Sequence, residues 1–377
     1  MLDLDFTEEQ EMLRDMVRGV CAQHAGGEVL RALEDDPDGI ARDLWAQLAE
    51  LGLLGLTLPE EHGGAGSTML DGVVLYEELG RSLAPVPHLE SCVLAAESLL
   101  LAGSESQIAE WLPAIAAGTA IVVPAWLEPG NGYSAAGVQL TARPDGDEFV
   151  LDGTKAHVRF AGAADQFLVL ARVGDGPGDV DLFLVAPDAS GIHLDQQHSL
   201  AADTQYRIRF DGVRVPASSR VGDPSSGWVT WSKVMEQAMV LVAAQANGGA
   251  DYALEITNQY AKDREQFDKP LGAFQAISHY LADARTNVDG SKLLTYEAAW
   301  AESTGRPLRR LAPMAKLFAG NTFREVTAMA QQVFGGVGFT LEYEIQLYFR
   351  RAKQLQLSWN DTRRCEELIA DVVLESA

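Results

Sequence analysis

The feature that most restricts this chain is a double change in the period of its apolar residues. From Thr7 to about Thr119 they recur at helical spacing, with Thr7 to Gln10 reading as a capping box ahead of Met12, Met16, Val17 and Val20. Further helical stripes run through ARDLWAQLAELGLLG, TMLDGVVLYEELGRSL and SCVLAAESLLLAGS, each bounded by Gly, Pro or Ser. Near Ala120 the pattern becomes short, β-branched segments punctuated by Gly, Asp and Pro: AIVVPAWLEP, FLVLARV, DLFLVAP and YRIRFDGVRVP. The stretch LTARPDGDEFVLDG carries a hairpin signal, because Asp-Gly at a turn adopts positive φ at little cost. After GDPSSGW helical periodicity returns and continues almost to the C-terminus. The chain is therefore expected to be α+β with three domains: helical over 1–119, β over 120–225 and helical over 226–377.

Charge and cysteine usage narrow the function classes. Lys+Arg number 29 and Asp+Glu 54, a net charge of −25 that repels phosphate backbones and anionic lipid, so neither nucleic acid nor a membrane surface is an expected partner. The three cysteines, Cys21, Cys92 and Cys365, lie far apart and suggest neither a disulfide framework nor a zinc site. The seven histidines form no i,i+3 or i,i+4 pair, and no metal ligation is expected. The run MLDLDFTEEQEMLRDM carries acids where an export signal needs bases, and no apolar run reaches about 18 residues. A reducing cytoplasm is the expected location.

The usual catalytic signatures, GxSxG, HExxH, GxxxxGK[ST] and a GxGxxG after a strand, do not occur. Two segments instead combine Arg, Gln and glycines: DREQFDKPLGAFQAISHYLAD (263–283) and QQVFGGVGF (331–339). A guanidinium pairs bidentately with a pyrophosphate, an amide offers both donor and acceptor, and glycines let a backbone approach a ligand. These residue types suit a nucleotide. They read equally as an interhelical turn at PLG and a helix C-cap at GG.

The segments R-x-Q-F-x-x-P-L-x-x-F-Q at Arg264–Gln275 and Q-V-F-G-G-x-G-F at Gln332–Phe339, with PEEHGGAG at 59–66, resemble the acyl-CoA dehydrogenase family over nearly the whole chain. The resemblance implies an N-terminal helical domain, a middle β-barrel-like domain and a C-terminal four-helix bundle, assembled as a tetramer with FAD at a subunit interface. It assigns Arg264, Gln266, Phe267, Phe274, Gln275, Gln332, Gly335 and Gly336 to the pyrophosphate and adenosine of the neighbouring subunit's FAD. The implied reaction removes the acyl α-proton by a carboxylate while the β-hydrogen leaves as hydride to flavin.

Several positions depart from the family pattern. Where most members carry the base Glu, this chain has Trp359; where a second branch places it, this chain has Ala238. Glu236 lies roughly 200° around the helix from Ala238 and is expected to face elsewhere, and Asp361 lies two beyond Trp359. Leu127 and Tyr133 stand where the family has a Thr and a Ser near the flavin, and His157, Val158 and Arg159 replace its Trp-Ile-Thr. No catalytic residue is assigned.

The losses fall on the chain's own site, while residues used across the interface remain. The resemblance therefore implies a subunit of the base-lacking kind found in bacterial heteromeric steroid acyl-CoA dehydrogenases, paired with a homologous subunit that carries the Glu and acts on an acyl-CoA. Two readings stay open beside it: a self-sufficient homotetramer using Glu236, Asp361 or another carboxylate, and a non-catalytic scaffold.

Overall fold

A computed structural model describes residues 6–375. Six α-helices come first: α1 (Glu8–His24), α2 (Gly27–Leu33), α3 (Arg42–Glu50), α4 (Met69–Arg81), α5 (Ala96–Ala102) and α6 (Glu105–Ala116). At α1 the Thr7 side chain accepts from the Gln10 N–H while the Gln10 amide accepts from the Thr7 N–H, so the capping box forms as read. The sequence expectation of regular helix fails at Leu53–Gly55, a 3-10 turn, and again just before α5. His88–Ala95 is a π-helix running directly into α5, a widened turn of the kind that concentrates at functional sites.

Eight strands follow: β1 (Val122–Ala125), β2 (Thr141–Asp145), β3 (Glu148–Arg159), β4 (Gln166–Arg172), β5 (Val180–Val185), β6 (Ile192–Gln197), β7 (Gln205–Pro216) and β8 (Arg220–Val221). They form one mixed sheet in the order β6-β7-β3-β2-β4-β5-β8, with β1 parallel to β4. β2 and β3 make the expected hairpin, with Gly146 at positive φ in the turn. β3 leaves register with β7 between Lys155 and Val158, a bulge that re-aims the end of the strand.

The last part opens with α7 (Gly227–Asp263), whose 37 residues span about 55 Å. The two-stranded hairpin β9 (Glu265–Gln266) and β10 (Lys269–Pro270) leads into α8 (Gln275–Ser303), followed by α9 (Leu311–Phe334), α10 (Ile345–Leu357) and α11 (Thr362–Glu375). α4 crosses α7 backbone to backbone: a Cβ on Gly80 would lie 1.9 Å from the Gln245 carbonyl oxygen, and one on Gly248 would lie 1.8 Å from that of Glu77. One apolar core, from Val17 to Cys365, runs through all three parts. Among the described residues no helix is long and apolar enough to cross a membrane, and no acidic, His or Cys cluster could hold a metal ion.

Candidate functional site

The two motifs singled out in the sequence meet at one end of the C-terminal helices. Tyr260, one turn before Arg264 on α7, stacks on Phe334 at the end of α9, with ring centroids 4.2 Å apart and planes 17° apart. Tyr343 packs edge-on against both rings. This aromatic triple ties the end of α7 to the end of α9, and so sets the Arg264 segment beside the glycine run.

Arg264 ends α7 and is exposed. Among the described residues its guanidinium makes no ion pair or hydrogen bond, and the same is true of the Gln275 and Gln332 side-chain amides. Phe267 and Asp268 both have positive φ, 54° and 62°, as a two-residue hairpin turn of the I′ kind requires, and Phe267 stands 86% exposed at its tip. Phe274 packs edge-on to Phe267, with the Lys269 ammonium 4.1 Å from its ring centre. The exposed Gln266 bonds only the carbonyl of Glu265.

On the other side Gly335 takes φ 66° and ψ −144°, a conformation that only glycine adopts freely, and with the exposed Gly336 it leaves the backbone uncovered. The C-cap reading of these glycines was correct: Gly335 caps α9. The donor set on this face suits a diphosphate and an adenine, with a free cation, free amides and bare backbone.

The second region lies between the sheet and the C-terminal helices. Trp359 follows α10 with φ 55°, and Asn360 with φ 70°. Lys316, 2% exposed, fixes this left-handed turn by donating to the carbonyls of Gln356 (2.9 Å) and Asn360. Burial lowers its amine to about 8. So held, Trp359 lies stacked on Trp126, which also packs against Trp231 and Tyr133. The Tyr133 hydroxyl donates to the Leu357 carbonyl at 2.8 Å. Trp126, Tyr133 and Trp231, with Met235, Met239 and Asn360, line a partly open cavity of about 90 Å³.

Glu236 faces elsewhere than Ala238, as its angle around α7 requires: it lines that cavity, and Ala238 does not. At about 100° per residue, Trp231, Met235 and Met239 define a stripe whose centre lies between the directions of Ala238 and Glu236, so a residue opposite Ala238 still reaches the rim. Burial raises the Glu236 carboxyl, while Arg309 opposes the shift. Ala238 is fully buried. Asp361 is spent locally, since its carboxylate accepts the Arg364 N–H at the start of α11.

The third region is the end of β3. His157 sits in the bulge with φ 55°, exposed, and its ring meets the Gln205 amide at 3.1 Å. Arg159 points inward at 8% exposure, its Nη1 2.9 Å from Glu90 and its Nε 3.1 Å from Asp203. Sequence reasoning singled out Arg159 but neither acid, because no local spacing links the π-helix, β3 and the loop before β7. Tested against an isoalloxazine, the end of β3 does not fit, because the buried Arg159 guanidinium between two carboxylates takes the inward position there; its Nε and both Glu90 oxygens make no hydrogen bond among the described residues.

Models of the acyl-CoA dehydrogenase N-terminal, middle and C-terminal domains match residues 7–119, 125–213 and 225–358. The chain is 30% identical over 364 residues to the probable acyl-CoA dehydrogenase YngJ of Bacillus subtilis, covering 94% of this chain and 95% of that one. Among solved structures it resembles a chain of the ChsE4-ChsE5 complex from Mycobacterium tuberculosis (29% identity, TM-score 0.90, 99% of each chain). It also resembles the Tcur3481-Tcur3483 steroid ACAD (33% identity, TM-score 0.88, 98% of each chain).

Proposed function

The chain belongs to the acyl-CoA dehydrogenase family, whose members are FAD-dependent flavoproteins, and from that premise we propose that it is the base-lacking subunit of a heteromeric acyl-CoA dehydrogenase. The observation that carries this reading is the stack of Trp359 on Trp126, which puts an indole where most of the family has its Glu and leaves about 90 Å³ beside it. No carboxylate stands at position 359.

The exposed end of the C-terminal helices serves a homologous partner that carries the Glu. Arg264 would pair with the pyrophosphate of the partner's FAD, while Gln266, Gln275 and Gln332 would offer their amides to it. Gly335 and Gly336 would admit it to backbone contact, and Phe267 and Phe274 would hold the adenosine side. When bound, FAD supplies the hydride acceptor for α,β-desaturation. The acyl-CoA would lose its α-proton to the partner's carboxylate and its β-hydrogen as hydride, leaving an enoyl thioester. Domains over 1–119, 120–225 and 226–377 divide the labour, with the trans contacts all in the last. The similarity to a steroid ACAD and to a two-component complex supports a steroid acyl-CoA as substrate and a tetramer of two kinds of chain.

The visible spectrum and native mass of the chain alone, and then of the chain coexpressed with a homologous base-bearing chain, test the proposal. A flavin band and turnover only in the mixed complex support it. A fully flavinylated, active homotetramer refutes it and favours Glu236, which lines the cavity, as the base.

A further inference from the structure

Four charged side chains from three separate parts of the chain meet in the interior beside β3. Glu90 comes from the π-helix, Arg159 from the end of β3, Asp203 from the loop before β7 and Arg351 from α10, and their exposures are 1%, 8%, 8% and 2%. Arg159 bridges both acids, and Asp203 also accepts from the amides of Gln205 (3.1 Å to each oxygen) and Gln354. Arg351 is buried and lies within electrostatic range of Asp203, Glu90 and Arg159, but makes no ion pair within 4.0 Å among the described residues. Two cations and two anions balance in charge, while Glu90 Oε1 and Oε2, Arg159 Nε and Arg351 Nε and Nη1 make no hydrogen bond among the described residues, so the cluster is charge-compensated without being fully hydrogen-bonded.

The backbone is bent to make this meeting possible. A π-helix of eight residues carries Glu90, His157 and Phe160 take φ 55° on either side of Arg159, and Ala202 takes φ 53° beside Asp203. Left-handed residues other than glycine persist only where the surroundings hold them. The bulge turns His157 out to solvent and Arg159 in, which reverses what the family pattern needs, an aromatic ring facing the flavin and a small Thr beside it.

We propose that the Glu90–Arg159–Asp203–Arg351 quartet closes this chain's own isoalloxazine position and acts as the strut joining the N-terminal helices, the sheet and the C-terminal helices, so that the chain binds no flavin ring of its own. The proposal rests on the reading above only for the stoichiometry it implies, one FAD for each pair of unlike chains.

Lumiflavin, an isoalloxazine without pyrophosphate or adenosine, separates this claim from the trans contacts. Titrated into the purified chain, it should keep its free fluorescence, and the thermal midpoint should not move. Saturable binding of one lumiflavin per chain, or two FAD per unlike pair in the complex, overturns the closure. Unchanged FAD content in an Arg264→Ala complex overturns only the trans reading.

The strut is tested by a double-mutant cycle. Arg159→Met should lower the thermal midpoint by several degrees, because Glu90 and Asp203 lose their bridge, and adding Glu90→Gln should restore part of that loss. Strictly additive effects of the two substitutions overturn the strut.

Discussion

Trp359 lies nearly parallel to Trp126, their planes 10° apart and their ring centroids 6.3 Å apart. One indole belongs to the turn after α10 and the other to the segment after β1, so this contact is one of those that join the C-terminal helices to the β part. Its role is structural, and its removal has a calculable cost. Trp359→Ala should destabilise the chain by about 3 to 5 kcal/mol, as large-to-small core substitutions do, read from urea unfolding. Trp359→Glu should confer no acyl-CoA desaturation on the chain alone in a dye-reduction assay, since Arg159 still fills the flavin side; turnover by that single variant would contradict the closed site.

Arg264→Ala separates binding from folding. The side chain is exposed and makes no ion pair, so the chain's own stability should change by no more than about 0.5 kcal/mol. In the complex, the loss of charge-assisted bonds to a pyrophosphate, about 1.5 to 3 kcal/mol, should weaken FAD retention roughly 10- to 100-fold, measured as flavin content after gel filtration.

Gly335 and Gly336 are adjacent and both open to solvent, yet they should respond differently to alanine. A Cβ meets nothing within 4 Å at either position, so only backbone conformation distinguishes them. Gly335→Ala forces alanine into the φ 66° conformation, at about 1 to 3 kcal/mol, whereas Gly336→Ala should leave the thermal midpoint in place. Equal shifts would show that Gly335 relaxes out of its cap.

His88 makes the fold sensitive to acid. Its ring is buried, 2.9 Å from the Tyr76 hydroxyl at Nδ1 and 3.0 Å from the Leu53 carbonyl at Nε2. A carbonyl only accepts, so Nε2 carries the hydrogen, and in the neutral ring that burial favours Tyr76 donates to Nδ1. Burial lowers its pKa from 6.5 to about 4, opposed by the bond to Leu53. Between those values the unfolded chain takes up a proton that the folded chain refuses, so stability falls as pH drops from 6.5 towards 4. His88→Gln should flatten that part of the stability profile by close to one proton, measured by denaturant unfolding at a series of pH values. An unchanged slope would place the sensitivity elsewhere.

Much of the molecule was legible in the residues. The helical and β stretches declared themselves through apolar spacing, and the Thr7–Gln10 capping box and the β2–β3 hairpin formed where turn and cap chemistry placed them. The residues from Arg264 to Gln275 and from Gln332 to Gly336 were recognisable because their chemistry is carried within two short segments. Glu236 and Ala238 face apart as helical angles require, but those angles locate a residue relative to its neighbours and not relative to a cavity made partly by another helix.

By itself, then, the sequence determined the order of helical and β parts, the two nucleotide-suited segments and the absence of a Glu at Trp359. These are local properties, written in spacings of two to twelve residues that adjacent side chains enforce. Only the tertiary structure decided that Tyr260 and Phe334 would bring those segments together, that Trp359 would lie on Trp126, and that Arg159 would turn inward to Glu90 and Asp203. Each depends on side chains from distant stretches sharing one interior space, where the need to pair a buried charge or fill a void selects a partner that no local pattern names.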